Sequence, residues 1–260
     1  MCQLLGMNCN VPTDICFSFT GFHQRGGRTD EHRDGWGIAF YEGPGCRVYL
    51  DTKPAAESPV ATLVREYPIR SLNVIAHIRK ATVGSIALEN THPFVREMWG
   101  RYWCFAHNGT VQDLPVLAPD ARYRPVGATD SERAFCLLLE TLYRRFPDGA
   151  PDDERLHGAL AEITASLGAR GTFNFLLSNG DLLFARCATR LAYLVRQAPF
   201  AVAHLVDEDY SVDFSEVTTA RDRVAVIATV PLTDNETWTP IAPGELVRFR
   251  DGAPTRLNAA

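Results

Sequence analysis

Short apolar runs rich in β-branched residues recur along this chain and restrict it to folds built on β-sheets. The turn signals Gly-Pro-Gly (43–45) and Asn-Gly-Asp (179–181) separate two pairs of these runs, so we expect neighbouring strands to pair antiparallel. The predicted strands are Trp36–Glu42, Cys46–Asp51, Leu72–Ile78, Tyr102–His107, Thr172–Ser178, Leu182–Cys187, Leu191–Arg196, Val224–Val230 and Glu245–Arg250.

Two segments, Ser131–Phe146 and Glu154–Ala169, have apolar residues three or four apart, which predicts amphipathic helices. The linker 147–153 is polar and holds two prolines, so we expect these helices to be antiparallel neighbours. A shorter helix is predicted over Glu57–Tyr67. Strands outnumber helices, and this favours helices packed on antiparallel sheets over a βαβ alternation. Because no linker marks a boundary, we expect residues 2–260 to form one domain.

Composition excludes several classes of function. The net charge of −5, mixed along the chain, argues against nucleic acid or an anionic membrane as the main partner. No stretch approaches the roughly 18–20 apolar residues of a membrane span, and no secretory leader is present. The seven cysteines are scattered without a C-x-x-C pair, which is typical of reduced thiols in a cytoplasmic protein. We expect no metal site and no cofactor.

Cys2 follows directly on the initiator methionine. Removal of Met1, which a small second residue favours, would leave a thiol and a free α-amine on one residue. The thiol is a nucleophile, and an α-amine with a pKa of about 7.7–8.0 can act as its base. The alternative is an ordinary buried thiol at the start of a first strand, Cys-Gln-Leu-Leu-Gly (2–6).

Two further motifs lie at strand ends, and each has two interpretations. Arg79 ends the strand that contains His77 and shares a face with it. Its planar guanidinium calls for a carboxylate, either from the protein or from a substrate. Asn108-Gly109 follows another strand and is typical of a hairpin turn. It also suits an oxyanion hole, because the glycine N–H and the asparagine amide are two donors.

Three loop motifs are less specific. Thr129 with Glu132 predicts a capping box at a helix start, while Asp130 between them could face a substrate ammonium group. His92, in the polar loop before Pro93, is uninformative alone. The glycine-rich stretch Gly21–Gly37 is interpreted as a flexible connection, either a lid over a site or simply a loop.

The order of these motifs resembles that of the class II glutamine amidotransferases, and in particular their short, single-domain YafJ-like branch. The motifs are the early Cys2, Asp-Gly-Trp-Gly (34–37), His-x-Arg-x-Ala-Thr (77–82), His-Pro-Phe (92–94), His-Asn-Gly (107–109) and Thr-Asp-Ser-Glu (129–132). The resemblance extends to Trp-x-x-Ile-x-Pro-Gly-Glu (238–245). It implies an N-terminal-nucleophile hydrolase of the α+β class. This is a four-layer αββα fold in which two packed, mostly antiparallel sheets are flanked by helices.

The same resemblance implies catalytic roles for three residues. Cys2 would attack the γ-carbonyl of glutamine or of another γ-glutamyl group. Its own α-amine would serve as the base through a water. Asn108 and Gly109 would hold the tetrahedral oxyanion.

It implies binding roles for four more residues. Arg79, with Thr82 beside it, would bind the α-carboxylate of the substrate. Asp130 would bind the α-ammonium group. His92 would line the glutamate pocket. Arg25 is a candidate for the arginine of the family's glutamine-covering loop.

The chain departs from the synthase members of the family at the pocket rim. Those members often carry an aromatic residue after the arginine and a histidine after the threonine, where this chain has Lys80 and Val83. The departing amine is therefore expected to differ.

The sequence predicts an amidohydrolase that cleaves a γ-glutamyl amide through a Cys2 thioester, giving glutamate plus ammonia or an amine. No second domain remains to receive ammonia. A separate ammonia-accepting or peptidase-like protein is therefore a candidate partner beside the small-molecule substrate. The alternative function is a non-catalytic subunit that binds glutamine or a γ-glutamyl ligand.

Overall fold

The computed structural model of the chain describes residues 2–81 and 84–257. Its helices are α1 (Cys16–Gln24), α2 (Pro59–Glu66), α3 (Asp130–Arg145) and α4 (Asp153–Gly168). Its strands are β1 (Gln3–Thr13), β2 (Trp36–Glu42), β3 (Gly45–Asp51), β4 (Ser71–Ile78), β5 (Phe94–Met98), β6 (Arg101–Val111), β7 (Gly171–Ser178), β8 (Leu183–Arg186), β9 (Ala192–Gln197), β10 (Val202–His204), β11 (Ser211–Asp213), β12 (Arg223–Ala228), β13 (Thr239–Pro240), β14 (Leu246–Arg250) and β15 (Ala253–Arg256).

Two large antiparallel sheets contain most of these strands. One has seven strands in the order β13-β9-β12-β1-β4-β2-β3, and the other has six in the order β15-β14-β8-β7-β6-β5. The turn signals at 43–45 and 179–181 join antiparallel neighbours, β2 with β3 and β7 with β8, as predicted. The short pair β10-β11 lies outside both sheets.

The fold has four layers: helices α1 and α2, the seven-stranded sheet, the six-stranded sheet, and helices α3 and α4. An apolar core lies between each pair of neighbouring layers, so the central strands are buried on both faces. Alternate residues of β4 show this: Val74 packs under α1 and α2, whereas Ile75 faces the other sheet. On β6, Phe105 packs under α3 and α4, whereas Ala106 faces the first sheet. The αββα prediction is therefore confirmed, and two-sided burial explains why the strands are continuous apolar runs.

The structure corrects one sequence prediction in particular. Gly21–Gln24 were assigned to a flexible loop, but they are the buried last part of α1. Only residues 25–35 connect α1 to β2. The helix was missed because every residue except Cys16 is buried, so no polar face reveals a helical period. None of the helices in the described residues is long and apolar enough to cross a membrane.

The register between β1 and β4 places Cys2 beside Arg79. Gln3 pairs with Ile78 and Leu4 with His77. Continued by one residue, the same antiparallel register sets Cys2 opposite Arg79. On the facing sheet, β6 carries Asn108 opposite Asn174 of β7.

Candidate active site

Cys2 lies just before β1, with its sulfur against the main chain of residue 80. The Lys80 N–H donates to Cys2 Sγ at 3.3 Å, and the thiol donates to the Lys80 carbonyl oxygen at 3.5 Å. Burial raises the pKa of the Cys2 thiol, while the Lys80 N–H and the Arg79 guanidinium act in the opposite direction. A thiol in this setting needs a base to become a nucleophile.

The connection between α1 and β2 braces the strand end that faces Cys2. Asp34 accepts from the Ala81 N–H at 2.7 Å, and its own N–H donates to the Arg79 carbonyl oxygen at 3.2 Å. The Arg79 N–H donates to the Gly35 carbonyl oxygen at 2.8 Å. These contacts give the Asp-Gly-Trp-Gly motif a structural reason, because they fix the backbone of residues 79–81 beside the thiol.

Arg79 and Asp130 line the same pocket as Cys2, together with Lys80, Ala81, His92, His107, Gly109, Thr129 and Ser131. The Arg79 side chain is buried, and it donates to the carbonyl oxygens of Ser85 at 2.9 Å and Gly84 at 3.3 Å. Asp130 accepts from the Val111 N–H at 2.8 Å. The pocket therefore contains a cation and an anion near the thiol. Thr82, also predicted to bind substrate, lies outside the described residues.

Asn108 and Gly109 approach Cys2 from the second sheet. The Asn108 amide donates to the Cys2 carbonyl oxygen at 2.5 Å, and its Oδ1 has no partner among the described residues. Gly109 has φ +150°, and a Cβ there would overlap the Thr172 carbonyl oxygen. Only glycine fits this position. Residues 108 and 109 lie inside β6, so the hairpin-turn interpretation is wrong.

Asn174 on β7 was missed by the sequence reasoning. It is fully buried, and its amide donates to the Asn108 carbonyl oxygen at 2.9 Å. Its Oδ1 accepts from the N–H groups of Ala188 and Thr189. These bonds hold the backbone of Asn108 in place. The available signal was an amide flanked by Phe173 and Phe175 in an otherwise apolar strand.

Three buried histidines lie beside the pocket. His107 donates from Nε2 to the Thr172 carbonyl oxygen at 3.0 Å, so its Nδ1 accepts from the Ser131 hydroxyl at 2.8 Å. The rings of His77 and His92 are 4.3 Å apart, and neither has a hydrogen-bond partner among the described residues. Burial, and then the His107 imidazole, lowers the pKa of His77 to about 3. Burial, and then His77, lowers the pKa of His92 well below its ordinary value.

The helix that carries Asp130 has half of its predicted capping box. The Thr129 hydroxyl accepts from the Glu132 N–H at 3.2 Å. The Glu132 carboxylate does not return to Thr129; it pairs with Arg96 at 2.5 Å and accepts from the Gly127 N–H at 2.7 Å. The contacts of Thr129 and Glu132 thus fix the first turn of α3, where Asp130 lies between them.

Arg25, a candidate for a substrate-covering arginine, has a structural position instead. It is buried and donates to Asp207 at 2.8 Å and to the carbonyl oxygens of Val230 and Pro231. It does not line the Cys2 pocket. Its contacts tie the end of α1 to the segment after β12.

A larger cleft, of about 580 Å³, lies at the opposite end of the sandwich, where β2, β6 and β7 meet the start of β4. Its lining includes Tyr41, Arg70 and the ion pair Arg101–Asp181, but no cysteine or histidine. The narrower pocket at Cys2, by contrast, is lined by a cysteine and two histidines, Cys2, His92 and His107. No group of histidine, cysteine and acidic side chains that could hold a metal occurs among residues 2–81 and 84–257.

A four-layer αββα fold with a cysteine at the head of a central strand defines an N-terminal-nucleophile hydrolase. A sequence profile of the class II glutamine amidotransferases matches residues 1–260, and the chain belongs to this family of enzymes. Proteins of this family act on small molecules of the glutamine type.

Individual relatives agree with this assignment. YafJ of Escherichia coli (strain K12) is 54% identical over 245 residues, which are 94% of this chain and 96% of that protein. The crystal structure of a predicted glutamine amidotransferase from Pseudomonas aeruginosa PA01 is 46% identical, with a TM-score of 0.77, and covers 97% of this chain and 98% of its own. More distantly, the gamma-glutamyl-hercynylcysteine sulfoxide hydrolase of Mycobacterium tuberculosis (strain H37Rv) is 29% identical over 185 residues, 69% of each chain.

Proposed function

We propose that this protein hydrolyses the γ-amide of glutamine or of another γ-glutamyl compound through a thioester on Cys2. The observation that carries the proposal is the pocket in which Cys2, Arg79, Gly109 and Asp130 converge. A γ-glutamyl group has a carboxylate and an ammonium group at its α-carbon. Arg79 and Asp130 supply the matching charges, with the thiol in the same pocket.

The chemistry runs in two acyl transfers. With Met1 removed, the α-amine of Cys2 takes the thiol proton through a water, and the thiolate attacks the γ-carbonyl carbon. The oxyanion receives hydrogen bonds from the Gly109 N–H and the Asn108 amide. The C–N bond then breaks, and the departing nitrogen takes the proton. Water next attacks the thioester and gives a proton to the α-amine; the C–S bond breaks to release glutamate, and the amine passes that proton to the thiolate.

The released group is ammonia when glutamine is the substrate and an amine when a γ-glutamyl conjugate is. The name of the mycobacterial relative supports the second class, since that protein is a hydrolase of a γ-glutamyl compound. If ammonia is the product, a separate ammonia-accepting or peptidase-like partner protein would use it. The seven cysteines are free, which supports a reducing, cytoplasmic compartment.

The test is glutamate release from a panel of γ-glutamyl compounds, together with intact-mass measurement after treatment with a glutamine-analogue electrophile. We expect wild type to release glutamate and to gain one adduct at Cys2, and Cys2→Ala to do neither while it still binds substrate. Asn108→Ala should lower kcat by about 10²–10³ with little change in KM, the usual loss for one oxyanion donor.

A non-catalytic binding subunit would give a different result. It would bind glutamine without an adduct and without glutamate release. An uncleaved N-terminal extension is the matched control for the amine, because it leaves the thiol in place. Full turnover by the extended protein would show that the α-amine of Cys2 is not the base.

A further inference from the structure

The side chain of Lys80 is exposed, although that of the preceding Arg79 is buried in the pocket. The Arg79 residue is 3% exposed, whereas the Lys80 side chain is 42% exposed. The main chain of Lys80 meanwhile touches Cys2 Sγ through both its N–H and its carbonyl oxygen. An exposed ammonium group is thus tethered to the residue whose main chain contacts the nucleophile, while the guanidinium of the preceding residue is buried.

The Lys80 ammonium has a replaceable partner. It lies 3.1 Å from a carboxylate oxygen of Glu31, whose side chain is 86% exposed. Glu31 belongs to the braced connection between α1 and β2, where neighbouring Asp30 accepts from the Gln3 amide at 3.3 Å. An ion pair this exposed contributes little to stability, so another carboxylate can replace Glu31 at almost no desolvation cost.

The position of Lys80 corresponds to the part of a substrate that departs. If the α-carbon end of the γ-glutamyl group lies between the buried Arg79 and Asp130, we place the departing amide nitrogen towards solvent, where Lys80 is exposed. In a γ-glutamyl amino acid, the carboxylate carbon is two bonds from that nitrogen. A lysine side chain spans such a distance easily, and no buried charge is created.

We propose that Lys80 binds the carboxylate of the departing amine, with Glu31 as its competitor, so that the enzyme prefers γ-glutamyl amino acids to glutamine. This inference rests on the proposed γ-glutamyl hydrolysis and names its substrate class. Lys80 acts on specificity and takes no part in bond making. Its main-chain contacts with Cys2 are independent of the side chain.

The experiment compares kcat/KM for γ-glutamylglycine, its neutral isostere γ-glutamylglycinamide, and glutamine. Lys80→Met should lower the value for γ-glutamylglycine about 2- to 5-fold, the range of an exposed charge contact, and leave the values for the other two compounds nearly unchanged. Glu31→Gln should raise the value for γ-glutamylglycine alone. Salt at about 0.5 M should reduce the wild-type preference for γ-glutamylglycine over the glycinamide, but not that of Lys80→Met.

The outcomes separate the two proposals. Equal losses on all three compounds in Lys80→Met, or no loss on any, would overturn the role of Lys80 while γ-glutamyl hydrolysis stands. A wild-type enzyme that prefers the glycinamide would overturn it as well. If wild type hydrolyses none of the three, the proposed function fails, and this inference fails with it.

Discussion

Arg79 and Asp130 are the residues through which the charge of a substrate would be recognised. Lysine in place of Arg79 keeps the charge, but it cannot present a planar pair of donors to a carboxylate or maintain both bonds to Gly84 and Ser85. Asparagine in place of Asp130 keeps the shape and removes the charge. We expect Arg79→Lys and Asp130→Asn each to lower kcat/KM for glutamine, by a factor that corresponds to a loss of about 2–5 kcal/mol in transition-state binding.

The control measurement for these variants is the alkylation rate of Cys2 with a small uncharged electrophile. This rate should change little, because Arg79→Lys keeps the positive charge that lowers the pKa of the thiol, and neither substitution changes the thiol or its amine. Normal glutamine hydrolysis by both variants would mean that Arg79 only ties down residues 84 and 85 and that Asp130 only holds the start of α3.

The sequence predicted the residues of the pocket better than the hydrogen bonds that hold them in place. Cys2, Arg79, His92, Gly109 and Asp130 were named from their order along the chain, and the structure brings them together. Their catalytic and binding roles stay predictions. The bonds of Asn174 to Asn108 could not be predicted, because they depend on the register between β6 and β7, which no local pattern encodes.

The pairing of β6 with β7 depends on Gly109, the position on β6 where the two main chains approach most tightly. In Gly109→Ala the new methyl group would overlap Thr172, so β6 must shift away from β7. We expect a loss of about 2–4 kcal/mol in the free energy of unfolding, measured by urea denaturation, and a loss of activity.

Gly158 within α4 is the matched control. A Cβ there meets nothing within 4 Å, and helical alanine is more favourable than glycine. Gly158→Ala should therefore raise the free energy of unfolding by about 0.5–1 kcal/mol. Equal stability of Gly109→Ala and wild type would contradict the tight approach of β6 and β7.

Elements with a clear period were predictable, and elements without one were not. The predicted Ser131–Phe146 and Glu154–Ala169 match α3 and α4 to within one residue at each end, because each buries one stripe. The hairpin β10-β11 has three residues in each strand, which is too short for an alternation to be recognised in the sequence. Of β1, only the start was considered as a strand, within residues 2–6; the rest was missed because both faces of the strand are buried and no alternation marks it.

The buried histidines predict how the stability of the folded protein depends on pH. The folded-state pKa of His77, about 3, lies below the ordinary value, so the unfolded chain binds more protons between the two. The contribution of His77 to the free energy of unfolding is therefore fully present above about pH 6.5 and is lost as the pH falls towards 3. Between pH 7 and pH 5 we expect His77 alone to cost about 2 kcal/mol.

Urea denaturation at the two pH values, for wild type and His77→Phe, isolates this contribution. The variant has its own starting stability, but its loss between pH 7 and pH 5 should be smaller than that of wild type by about 2 kcal/mol. Parallel losses in the two proteins would show that His77 takes up its proton equally well in the folded state.

The position of β1 at the centre of the seven-stranded sheet has a consequence for biosynthesis. Leu5 pairs with Ala228 of β12, so the first strand made must wait for one of the last before its sheet is complete. β4 is made early and can pair with one side of β1, but the other side stays open until β12 is made, and we expect an aminopeptidase to remove the methionine during that interval. We therefore expect the α-amine of Cys2 to be free before the pocket has formed around it.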